Sequence, residues 1–93
     1  KYAFANRAKT ESSQHLNIFA KAVTNIDYAL HTIVIRTYSG MAQAVAASLD
    51  AIIGQEILGS IAGDDTIFII TENPEEAQKL TKKLERLFRG KAR

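Results

Sequence analysis

The sequence of 93 residues has no cysteine, one proline and one methionine. Without cysteine there are no disulfides and no thiolate metal sites, which fits a reducing cytoplasm, the expected location. Long apolar runs are missing as well. None approaches the roughly 20 residues of a membrane span, and no charged start followed by an apolar segment marks a signal peptide, so no membrane partner is expected. Histidine is scarce, with His15 in a polar stretch and His31 at a strand start. No Ser/His/Asp order and no glycine-rich phosphate loop accompanies them, and the chain reads as a non-enzyme. Tyr38 and the four phenylalanines are too scattered for a base-stacking platform. Excess charge is small too, and a net +2 is too weak to argue for nucleic acid.

What is present is an ordinary globular composition, 46% hydrophobic and 24% charged. A single domain of this length buries only about 60 to 65% of its unfolded surface, and oligomerisation is a common remedy for that shortage. The start at Lys1, not Met, reads as part of a longer protein. Residues 1–15, KYAFANRAKTESSQH, have linker composition. Residues 16–90 form the domain, and 91–93 form a basic tail. Lys79, Lys82, Lys83, Arg86, Arg89, Lys91 and Arg93 crowd the C-terminal end against Glu85, as on a solvated helix face.

Hydrophobic period organises the rest. Short β-friendly runs begin at Asn17-Ile18-Phe19, then Ala22 to Ile26, then His31 to Thr37, with a tight turn expected at Asp27-Tyr28-Ala29-Leu30. From Met41 to Ile53 the period changes. Ala42, Val45, Ala46, Leu49, Ile52 and Ile53 recur at helical spacing, and Gly54 is expected to stop the helix in the left-handed region. Gln43 and Asp50 lie almost two turns apart and so share one face. A hairpin follows, Ile57 to Ile61 and Thr66 to Ile70 around Gly63-Asp64-Asp65. Asn73 as N-cap, Pro74 at the first position and Glu76 at the third then open a last helix, whose apolar stripe is Ala77, Leu80, Leu84, Leu87 and Phe88. The order ββαββα predicts an α+β fold, a four-stranded mainly antiparallel sheet with both helices on one face.

The chemistry concentrates at Asp64 and Asp65. Adjacent carboxylates repel and are comfortable only in open water or opposite a cation. Acids and glycine also favour turns for local backbone reasons, and paired carboxylates hold divalent metals. The chain offers no clear second acidic element for a metal, and neighbours in a turn are badly placed for acid/base hydrolysis across a cleft. An organic cation is the remaining reading. A guanidinium is planar, permanently charged and donates in pairs to carboxylates. Gln43 and Asp50 could complete a site for a ligand that also carries an ammonium and a carboxylate.

From about Ala22 to Phe88 the chain resembles the C-terminal domain of the bacterial arginine repressor family. ILGSIAGDDTIFII is the most specific part, and Thr37-Tyr38-Ser39-Gly40-Met41-Ala42-Gln43-Ala44 matches a second motif. Lys1-Tyr2-Ala3-Phe4 is similar to the end of the family's winged-helix DNA-binding domain. The resemblance implies a trimer, two trimers stacked into a hexamer, L-arginine bound between them, no metal, and operator DNA bound only through the N-terminal domain. It further implies that Asp64 and Asp65 face the guanidinium, that Gln43 and Asp50 hold the α-amino and α-carboxyl end, and that Ala62 offers backbone contacts. Ser39 departs from the proline the family commonly has before the glycine, and the role of Arg36 stays open. A ligand-independent oligomerisation module is the alternative.

Overall fold

The computed structural model describes the backbone from residue 18 to 92 and side chains from 18 to 88. The expected linker at 1–15 lies outside the described residues. A helical stretch, α1 (18–22), leads into strands β1 (Val23–Ala29) and β2 (Thr32–Thr37). Helix α2 (Ala42–Ile53) follows, extended by a 3-10 turn (Gly54–Glu56), then β3 (Gly59–Ala62), β4 (Thr66–Ile70) and α3 (Pro74–Ala92). The strands lie in the order β1-β2-β4-β3, and every neighbouring pair is antiparallel.

Alternation along the strands decides which face is covered. Ile33, Ile35 and Thr37 of β2 and Ile67 and Ile69 of β4 are buried, while Thr32, Val34, Arg36 and Phe68 between them are half-buried or exposed. The buried set joins Ala42, Val45, Leu49 and Ile53 of α2 and Ala77, Leu80 and Leu84 of α3 in one core. Both helices therefore cover the same face, as the pattern predicts. The opposite face stays open. Register places Val34 beside Phe68 and Phe68 beside Ile61, with Phe68 50% and Ile61 76% exposed.

Four local expectations are corrected. Ile18 and Phe19 are helical, not extended. Phe19 is wholly buried and meets Phe88 edge-to-face at 6.3 Å, so packing against α3 overrides its strand preference. The first hairpin turns at Leu30 and His31, because Asp27, Tyr28 and Ala29 are still paired in β1. Leu30 takes φ 55°, the one positive value among described non-glycine residues. The adjacent His31 carbonyl is held by both the amide and the hydroxyl of Thr71, at 2.9 and 3.0 Å. That double bond to a distant residue stabilises a turn that lacks the usual glycine. β3 starts at Gly59, not Ile57, because Ile57 packs on the core and only Leu58 begins the bonding to Ile70. Gly54, finally, does cap the end of α2, but with φ −55° it is right-handed and not left-handed, and a separate 3-10 turn starts there.

α3 begins as predicted. Asn73 Oδ1 accepts from the Glu76 amide at 2.8 Å, and the single proton of the Thr71 hydroxyl is shared between the His31 and Asn73 carbonyls, each at 3.0 Å. The Glu76 carboxylate, which could have reached back to the cap, lies instead 3.8 Å from Lys79 Nζ. Of the basic tail at 91–93, the first two residues continue α3.

Candidate functional site

The tip of the β3–β4 hairpin is stitched to the start of α2. Gly63 donates its amide to the Thr66 carbonyl at 2.9 Å, which leaves Asp64 and Asp65 as the two central residues of the turn. Their main-chain carbonyls point inward: Asp64 accepts from the Ala42 amide at 3.1 Å, and Asp65 accepts from the Thr37 amide at 2.8 Å. α2 lacks a side-chain cap and has no acid in its own first turn, so the hairpin supplies both. A carbonyl satisfies one orphan amide of the helix, and a carboxylate sits near its positive end.

With the backbone occupied in this way, the carboxylates are left facing outward. The Ser39 hydroxyl donates to Asp64 Oδ2 at 3.0 Å, and the Thr66 hydroxyl donates to Asp65 Oδ1 at 2.9 Å. Each acid thus has one oxygen oriented and one open. Gln43 lies one residue into α2 and donates its amide to the Ala62 carbonyl at 2.9 Å, which ties helix to strand and leaves its own oxygen as an acceptor. The ion pairs among the described side chains are Lys79–Glu76 and Lys83–Glu56, so neither Asp64 nor Asp65 pairs with a cation among the described residues. Asp64 is exposed and Asp65 half-buried.

The fold therefore gathers Asp64, Asp65, Gln43 and Ala62 around one helix start. It does not bring Asp50 to them within the chain. Asp50 is on the same exposed face of α2, but about 10 Å further along the axis at 1.5 Å per residue. Arg36 pairs in register with Thr66, beside the acids, and makes no ion pair among the described residues. Ser39 and Thr66 contribute in a way the sequence reading missed. Thr66 could have been suspected, since a hydroxyl next to a turn carboxylate commonly bonds it. Ser39 is 25 positions from Asp64, and nothing local in the sequence links them.

The side-chain oxygens left open in this cluster, on Asp64, Asp65 and Gln43, are acceptors. Such a set selects a donor-rich cation, and it has no nucleophile paired with a base. Among the described residues no group of three or more His, Cys, Asp or Glu side chains could hold a metal ion, and no helix is long and apolar enough to cross a membrane.

Comparison with known proteins gives this geometry a family. Residues 19–86 match the family model described as "Arginine repressor, C-terminal domain". An arginine repressor of Ruminiclostridium cellulolyticum is 36% identical over 88 residues, which is 95% of this chain and 59% of the relative. One from Clostridium novyi is 34% identical over 94 residues, covering 98% and 62%. Another, from Clostridium botulinum, is 40% identical over 89 residues, covering 95% and 59%. The chain spans about three-fifths of the length of these curated relatives. They are named as repressors and not as enzymes. The match takes in the acid pair, the helix that it caps and the whole four-stranded sheet, and on it the chain belongs to the arginine repressor family.

Proposed function

We propose that this chain is the L-arginine-sensing and self-assembly domain of a cytoplasmic transcriptional regulator of arginine metabolism. The observation that carries the reading is the cluster at the start of α2. It holds two adjacent carboxylates, each with one oxygen oriented by a hydroxyl, and among the described residues no cation pairs with them. A guanidinium bound there satisfies both acids and removes their repulsion. Gln43 and the Ala62 backbone then border the rest of the ligand.

Because Asp50 lies away from this cluster, a site that uses it draws it from another subunit. That supports arginine seated between two trimers, with the hexamer as the liganded form. A ligand that binds the hexamer and not separated trimers stabilises the hexamer by mass action. Operator binding belongs to a winged-helix domain upstream of residues 1–15, and the spacing of those domains is what the hexamer sets.

The open sheet face favours a second reading, a ligand-independent assembly module. The row Val34–Phe68–Ile61 is apolar, with Phe68 and Ile61 exposed, and a small domain gains core by covering it with copies of itself. Sedimentation with L-arginine and with citrulline separates the two. Citrulline keeps the shape of arginine and loses the charge. The sensor shifts toward hexamer with arginine and not with citrulline, whereas an assembly distribution unchanged by either sinks the sensor and leaves the module.

A further inference from the structure

Gly54 has no backbone reason to be glycine. Its φ of −55° and ψ of −29° are ordinary right-handed values, open to any residue but proline's neighbours, and its amide donates to the Asp50 carbonyl as helix ladders do. The reason is spatial. A Cβ at Gly54 would lie 2.9 Å from Asp50 Oδ1, 3.4 Å from its Cγ and 3.9 Å from Oδ2, so its three nearest neighbours are all atoms of one carboxyl group. Asp50 leans toward the C-terminal end of α2, over a residue with no side chain.

That posture is electrostatically adverse. An acid in the last turn of a helix faces the negative end of the helix dipole, and α2 has no basic residue in that turn to offset it. No described cation pairs with Asp50 either. A carboxylate kept there, exposed and unpaired, is placed to receive a positive group from outside the chain.

We infer that Gly54 is a positioning residue for ligand binding: its bare Cα admits the Asp50 conformation that meets the α-ammonium of the amino acid. The inference rests on the proposed reading of Asp50 as a ligand contact. Alanine at position 54 must push the Oδ1 atom away, because real Cβ contacts do not fall below 3.0 Å. The carboxylate then leaves its place by a few tenths of an ångström or more, while the helix itself prefers alanine to glycine.

The test is calorimetry on wild type, Gly54→Ala, Asp50→Ala and the double variant. The ligands are L-arginine and δ-guanidinovalerate, which is arginine without its α-ammonium. Gly54→Ala should weaken L-arginine binding by about tenfold, leave the des-amino analogue unchanged, and keep or raise the thermal midpoint. In the Asp50→Ala background it should add nothing. Wild-type affinity in Gly54→Ala overturns the inference, as does an equal loss for both ligands or a loss that persists without Asp50. A wild-type chain that binds no L-arginine overturns the site reading and this inference together, and it does so before any variant is made.

Discussion

Asp64 and Asp65 show how a residue pair acquires a task. As bare neighbours in a turn they are only a local repulsion. The fold takes both of their carbonyls for the ends of β2 and α2, so the side chains have nowhere to go but outward. There the Ser39 and Thr66 hydroxyls orient one oxygen of each. Removing one charge tests the pair. Asp65→Asn keeps the shape, eases the repulsion in the free protein and removes half of the partner set for a guanidinium. It should weaken L-arginine binding by roughly 2 to 5 kcal/mol, seen by calorimetry, while thermal unfolding of the ligand-free protein holds or rises.

At the scale of elements, the two long helices begin by different means. α2 borrows its cap from a distant hairpin, whereas α3 carries its own in Asn73. The consequences differ. Asn73→Ala removes a local cap and should cost about 1 kcal/mol of stability, a fall of roughly 4 to 8 °C in the melting midpoint of a domain this size, with ligand binding unchanged. The start of α2, in contrast, couples helix to the proposed site, because the bond that satisfies the Ala42 amide is made by Asp64, whose carboxylate is proposed to meet the ligand. Core positions behave more uniformly. Leu84 is wholly buried between α3 and the sheet, and Leu84→Ala should cost about 2 to 5 kcal/mol in denaturant unfolding.

For the whole molecule the open face of the sheet dominates. The helices shield one side, and the other shows Val34, Phe68 and Ile61 in a cross-strand row. Phe68→Glu puts a charge in the middle of that row without touching the core. It should leave the monomer folded by circular dichroism and weaken self-association by about 30-fold, as loss of an aromatic anchor does, which sedimentation reads directly. The same variant should lose arginine binding only through assembly, so raising the protein concentration should restore it.

Much of this protein was settled by sequence alone, wherever the deciding physics is local. Period distinguished Ala42–Ile53 and the last helix from the strands, because a stripe at three and four residues can bury only as a helix. Asn73-Pro74 marked a helix start because capping is local, here a bond from Glu76 back to Asn73. The acid pair and the glutamine stood out as candidates because their residue types restrict their chemistry. Tertiary structure decided what depends on partners far along the chain. It made Ile18 and Phe19 helical through Phe88, and it held the Leu30–His31 turn through Thr71. It joined Ser39 to Asp64 across 25 positions, and it left Asp50 at the far end of α2 with its carboxyl group over Gly54. Propensity and spacing describe a residue's neighbours along the chain, but the atoms that orient a carboxylate are neighbours only after folding.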